Sequence, residues 1–199
     1  MTELAPIIRR PATYQDVLDA PPGFVAELVR ETLHLQPRPR SRHAHVAFGL
    51  AGQLFDPFGR GIRGPGGWWF ASEPELHLVD AVLVPDLCGW RRERMPEFPD
   101  VAAFDLAPDW ICEILSPSTR KFDLTEKREI YARSGVPHLW FVDPDAGTLE
   151  VFTLSEEGWH LVAAVAEEDI VSLAPFEAIA FPLAGVMPSR DGGSLGDPP

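Results

Sequence analysis

Residues 109–143 constrain the fold more than any other stretch of the chain. Trp110 to Leu115 is a short apolar run interrupted by one carboxylate, Glu113, and bounded by Pro108 and by Ser116-Pro117. Such a run reads as a buried strand. A helical stretch follows. Asp123 is expected at its N-cap with Glu126 three residues on, and Gly135 and Pro137 mark its end. Asp123, Lys127 and Tyr131 recur every fourth residue and therefore share one helix face. His138 to Val142 then reads as a second strand. Strand, helix and strand at this spacing predict a βαβ unit, with parallel strands and a right-handed crossover. A buried carboxylate needs a cation, hydrogen bonds or a proton, so the acid in the first strand and the lysine on the helix require explanation together.

Around this unit the chain reads as alternating short elements. A short helix is expected from Thr13 to about Ala20, and one or two strands from Phe24 to Leu35 with Arg30-Glu31 as the turn. Pro37 to Ser41 is a basic, proline-broken loop. From His43 onward, Val46, Leu50 and Leu54 give a helical apolar face ending before Pro57. Trp68-Trp69-Phe70 begins a strand, and Glu75–Val79 continues the same sheet after Pro74. Ala81–Val84 is a further strand, ending at Pro85-Asp86. Residues 91–107 read as a charged, proline-rich excursion. Beyond His138 two more strands, Leu149–Leu154 and Trp159–Val165, complete a β-meander. The expected fold class is thus α/β, a mixed sheet flanked by helices. Residues 1–187 form one domain and residues 188–199, rich in Gly and Pro, a disordered tail.

Composition limits the functional classes. The 199 residues carry a net charge of −13, the reverse of the basic field that drives nonspecific nucleic-acid binding. Any nucleic-acid role needs a local basic patch, metal ions or a second subunit. Arg38, Arg40 and Arg42, and Arg91, Arg92 and Arg94, are the candidate patches. No apolar stretch approaches a membrane span, and the N-terminus lacks the basic-then-apolar order of a signal peptide. Cys88 and Cys112 lie in strand-like apolar surroundings, which suits reduced core thiols. The cytoplasm is the expected compartment. Lys121 and Lys127 are the only lysines among 17 basic residues, and both lie just after the acid-bearing strand.

Asp86, Glu113 and Lys127 are the strongest candidates for chemistry. Two carboxylates at neighbouring strand ends can hold a hard divalent cation and leave positions open for water and a phosphate oxygen. A nearby lysine can orient or deprotonate the attacking water and offset charge on phosphorus. The same residues also read as a turn aspartate and a strand–helix ion pair. No Gly-x-Ser-x-Gly elbow or phosphate-binding glycine loop is present, and His43-Ala44-His45 lacks the partners of a zinc site.

Several motifs together resemble the Uma-type family of bacterial proteins classed with the restriction endonucleases, in the PD-(D/E)xK nuclease superfamily. They are Pro85-Asp86, Glu113-Ile114-Leu115-Ser116-Pro117-Ser118, Asp123-xxx-Lys127-xxx-Tyr131 and Gly135–Pro144. The resemblance runs from about Tyr14 to Leu161 and takes in the early Glu27-containing hairpin and His43 before the first long helix. It implies a restriction-endonuclease-like fold and a metal-dependent endonuclease acting on DNA. Asp86, Glu113 and the backbone carbonyl of Ile114 would bind Mg²⁺ or Mn²⁺, and Lys127 would act on water. Glu27, His43 and Tyr131 are accessory positions, and a homodimer is expected. The superfamily pattern puts the lysine two residues after the second acid, where this chain has Leu115. The family resemblance moves it to Lys127 on the following helix, with Lys121 as the alternative. The rival readings are a noncatalytic interaction or assembly module that keeps the fold, and a metal-dependent hydrolase of RNA or nucleotides.

Overall fold

The computed structural model describes residues 11–188. Helix α1 (Tyr14–Leu18) starts at Thr13, whose amide and hydroxyl both donate to Asp16. Strands β1 (Phe24–Val29) and β2 (Thr32–Pro37) form a hairpin that pairs Glu27 with His34. Its two-residue turn, Arg30-Glu31, has positive φ at both positions (47° and 59°), the twist that tight hairpins require. Helix α2 (Ser41–Leu54) begins two residues before His43 and leads into a π-helical turn, Phe55–Gly59. The helical path therefore runs through Pro57 rather than ending before it. Strand β3 (Trp68–Ser72) follows, then β4 (Glu75–Leu78) and β5 (Ala81–Leu83).

Strand β6 (Leu87–Arg91) and the short β7 (Ala103–Phe104) are two strands that the sequence reading did not assign. Leu87-Cys88-Gly89-Trp90 is uniformly apolar between two charged residues, and the strand signal was overshadowed by the Pro85-Asp86 stop before it. Strand β8 (Trp110–Ile114) leads into one helical segment, α3, made of Arg120–Phe122, a π-helical turn Asp123–Lys127, and Arg128–Arg133. Asp123 is thus inside the helix, not at its N-cap, because the chain turns helical directly after Thr119. Strands β9 (His138–Asp143), β10 (Thr148–Ser155) and β11 (Gly158–Ala166) make the expected meander, and β12 (Ile170–Val171) pairs with β13 (Phe181–Pro182). Of the tail expected over residues 188–199, residues 189–199 lie outside the described residues.

The strands make a six-stranded central sheet in the order β11-β10-β9-β8-β6-β3 and a second, five-stranded sheet in the order β2-β1-β5-β4-β7. Strands β8 and β9 are parallel around α3, as the βαβ pattern requires, while most other pairs are antiparallel. Strand β4 does not continue the β3 sheet: it crosses into the second sheet, and Ser72-Glu73-Pro74 makes the crossing.

The central sheet is covered on both faces, and side-chain alternation along β8 shows how. Trp110, Cys112 and Ile114 point into a core shared with Val46, Leu50 and Leu54 of α2 and with the C-terminal residues Phe176 and Val186. Ile111 points the other way, with Leu139, Phe141, Ile130, Tyr131 and the second sheet's Leu76 and Leu83. With a period of two, Glu113 must share the side of Ile111 and face α3. Phe176 joins the first core, with ring contacts to Phe58, Trp68, Phe70, Trp110 and Trp140 at centroid distances of 4.7–5.8 Å. Cys88 and Cys112 are both buried free thiols. Among the described residues, no helix is long and apolar enough to cross a membrane.

Candidate functional site

The alternation that buries Ile111 carries Glu113 to the base of a cleft of about 740 Å³, which Asp86, Glu27, Asp123 and Lys127 also line. They come from four places in the topology: β8, the residue before β6, β1 and α3. Leu87 pairs with Cys112, so the antiparallel register continues to set Asp86 across from Glu113. Glu27 comes from the middle of β1. Asp123 and Lys127 lie one turn apart on α3, and Tyr131 one turn further.

Lys127 is the hub. Its Nζ lies 2.9 Å from Glu27 Oε1, 3.2 Å from Glu113 Oε1 and 3.5 Å from Asp123 Oδ1, and it donates to the carbonyl of Val84 at 3.4 Å. The Tyr131 hydroxyl donates a short hydrogen bond to the same Glu113 oxygen. Among the described residues, both of these bonds to Glu113 fall on Oε1. Glu27 is fixed independently: the Val84 amide and the Gln36 side chain each donate to it at 2.8 Å. Asp86 accepts from the Ile114 amide at 2.6 Å and pairs with His43 Nε2 at 3.1 Å. His43 Nδ1 is buried without a hydrogen-bond partner among the described residues.

Electrostatically the cluster is overloaded with acid. Four carboxylates, Glu27, Asp86, Glu113 and Asp123, surround one ammonium. Burial, followed by the neighbouring carboxylates, pushes the Glu113 pKa well above the ordinary carboxylate range, and Lys127 offsets only part of this. Burial likewise raises Glu27 and Asp123. Burial works against charge on Lys127, yet Glu113, Glu27 and Asp123 outweigh it and hold the ammonium well above the usual lysine range. His43 behaves in the same way: desolvation opposes its charge, and the hydrogen bond and charge of Asp86 prevail and raise it.

The structure therefore brings together Asp86, Glu113, Lys127, Glu27, His43 and Tyr131. Lys121 appears in neither the cluster nor the cleft lining. Ile114 contributes its amide to Asp86. Asp123 and Gln36 also belong to the network, and the sequence reading gave neither a site role. Asp123 shared the Lys127 helix face and was assigned to capping; Gln36 has no sequence signal beyond its place opposite Val25 in the hairpin. Arg38, Arg40 and Arg42 line the cleft. Arg91, Arg92 and Arg94 do not. They lie at the end of β6 far from Asp86, where Arg91 and Arg92 stack over Trp68 and Trp69 at 4.6 and 3.8 Å, and Arg94 pairs with Asp109 at 3.0 Å. A strand of five residues separates the two groups, so sequence proximity to Asp86 was misleading.

The donor set bears on which cation fits. All the donors offered at the floor are hard carboxylate oxygens, and one cation among four acids leaves negative charge for a divalent ion to neutralise. Among the described residues, no three His, Cys, Asp or Glu side chains form a ready metal cage. Hard carboxylate oxygens are the donor type of Mg²⁺, which is commonly held by one or two carboxylates, waters and substrate phosphate oxygens, rather than of Zn²⁺.

Comparison with known proteins adds a family and a fold. A family model described as "Putative restriction endonuclease" (Uma2) matches residues 11–184. One similar solved structure is a protein from Anabaena variabilis described as a "putative nuclease belonging to DUF820". It is 20% identical, with a TM-score of 0.71 over 88% of this chain and 97% of that one. No curated protein matches the chain.

Proposed function

The chain belongs to the Uma2 family, and from that premise we propose that it is a metal-dependent endonuclease that hydrolyses phosphodiester bonds in DNA. The observation that carries the proposal is the position of Lys127 Nζ among Glu27, Glu113 and Asp123 at the floor of a cleft that Asp86 also lines. Asp86 and Glu113 would hold Mg²⁺ or Mn²⁺, with the Ile114 carbonyl as a third donor. When bound, the ion would lower the pKa of a water and neutralise charge on the phosphate.

The protein's own groups have distinct tasks. Lys127 is held as an ammonium, so it serves as a hydrogen-bond donor and a positive charge, orienting the attacking water and stabilising the pentavalent phosphorus rather than removing a proton. Glu27 and Asp123 keep that ammonium charged and in place. Tyr131 fixes the Glu113 carboxylate from α3, and His43 and the Ile114 amide fix Asp86. Arg38, Arg40 and Arg42 supply positive charge at the entrance for a polyanionic strand.

The net charge of −13 favours the rival, a noncatalytic assembly module that retains the fold. Metal-dependent cleavage separates the two. With Mn²⁺ or Mg²⁺ the wild type should cut DNA, and Glu113→Gln and Lys127→Met should reduce the rate by about 100-fold or more. Absence of cleavage by the wild type in both metals, with duplex and single-stranded DNA, would support the assembly module.

A further inference from the structure

We propose that the cleft accepts an unpaired nucleic-acid strand, such as a single strand, flap or frayed end, and excludes the interior of an intact duplex. The inference rests on the nuclease reading above and narrows its substrate.

Exposure grades steeply from floor to rim. The side chains of Glu27, Glu113 and Lys127 are 1%, 2% and 4% exposed, yet all three line the cleft. His43 and Asp86 are 14% and 16% exposed, and Arg38 at the entrance is 63%. Lys127, which must reach the scissile phosphate, and Glu113, which would hold its metal ion, are therefore among the most recessed groups of the cleft. One wall is closed as well. Arg42 Nη2, from the first turn of α2, donates at 3.3 Å to the Pro144 carbonyl in the turn after β9, and Arg120 from α3 pairs with Asp143 beside it. Both Arg42 and Pro144 line the cleft, so this contact is part of its wall.

A duplex is a poor match for such a site. It is stiff over about 150 base pairs, and proteins that read it spread contacts over roughly 1,000–2,500 Å² of open surface. The cleft, about 740 Å³, instead keeps Glu27, Glu113 and Lys127 nearly fully buried at its floor rather than on such a surface. A flexible unpaired strand can lower one phosphate to the floor while its neighbours meet Arg38 and Arg40 at the rim. Paired DNA reaches the same place only after local opening and unstacking. At the rim Arg38 pairs with Glu73 at 3.2 Å. That leaves Arg40 and Arg42 as the cleft-lining arginines without a carboxylate partner among the described residues, while the base holds the acids that would need a divalent ion beside a phosphate.

The test uses full-length protein, Mn²⁺ and one sequence presented as a single strand, as a blunt duplex and as a duplex with an unpaired flap. The single strand and flap should be cut about 10-fold faster or more than the duplex interior, with flap cuts confined to the unpaired part. Arg42→Ala, which removes the wall contact to Pro144, should reduce that ratio. Internal cutting of the blunt duplex at an equal or higher rate overturns the inference and leaves the nuclease reading standing. No cutting of any of the three substrates overturns both.

Discussion

Burial alone would strip the charge from Lys127, and its three carboxylate neighbours restore it. Replacing it with methionine leaves Glu27 and Glu113 buried without a cation, a change that typically costs about 3–5 kcal/mol. The cost should shrink in acid, where the carboxylates take up protons, and thermal melts of Lys127→Met across pH will check this. The wild type carries a related pH dependence. Glu113, Glu27 and Asp123 have folded pKa values above their unfolded ones, so the folded state binds more protons than the unfolded state in that window. Stability contributed by these groups must fall as pH rises from the ordinary carboxylate range through their raised folded values. His43, also raised, adds in the same direction above its unfolded value, because its ion pair with Asp86 is lost as pH rises through the folded pKa. Glu113→Gln, which can still accept from Tyr131, should flatten that slope as well as slow cleavage. An unchanged slope in the variant would mean that Glu113 is not the group that titrates. Tyr131→Phe removes a hydrogen bond to a charged oxygen and should cost about 1.5–3 kcal/mol.

At the scale of elements, the hairpin and α3 decide whether these residues meet. Arg30 serves both, holding the turn at positive φ and reaching Glu126 and Glu129 of α3 at 3.4 and 2.6 Å. Glu31 has the same left-handed backbone, and none of its side-chain contacts enters the site. Glu31→Gly should therefore raise stability by about 1 kcal/mol, with cleavage unchanged, as read by denaturant melts and rates. Much of this layer was legible in the sequence. The alternation around Glu113, the four-residue spacing of Asp123, Lys127 and Tyr131, and the stop at Gly135-Val136-Pro137 are local signals, and the βαβ unit follows from them. What was not legible depended on long-range packing. The apolar run Leu87–Trp90 counts as a strand because β3 and β8 flank it. Asp123 has the chemistry of an N-cap, yet three residues before it already turn helical, and the π-helical hydrogen bonding of Asp123–Lys127 sets the phase of its side chain. Glu27 was recognised as an acid in a hairpin, but its partner, Lys127, lies 100 residues away and no spacing rule points to it.

For the whole molecule, two opposing charge patterns coexist. A net charge of −13 repels nucleic acid, whereas the cleft gathers Arg38, Arg40 and Arg42 on one side of its mouth. Binding of DNA in Ca²⁺ should therefore weaken steeply with salt, by roughly 0.9 log unit per log unit of salt for each duplex phosphate contacted and about 0.7 for a single strand. Changing the three arginines to serine should flatten that dependence, while the same change at Arg91, Arg92 and Arg94 should not. If the floor binds a divalent ion as proposed, Mg²⁺ or Mn²⁺ should raise the melting temperature by mass action, more at neutral than at acidic pH, where protons compete. The most direct test is the anomalous scattering of a crystal grown with Mn²⁺ at neutral pH. The expected result is a manganese peak at the floor of the cleft, ligated by carboxylate oxygens of both Asp86 and Glu113, with Lys127 still facing Glu113. A cleft without manganese at saturating metal, or manganese bound only to carboxylates elsewhere on the surface, would contradict the metal-dependent site.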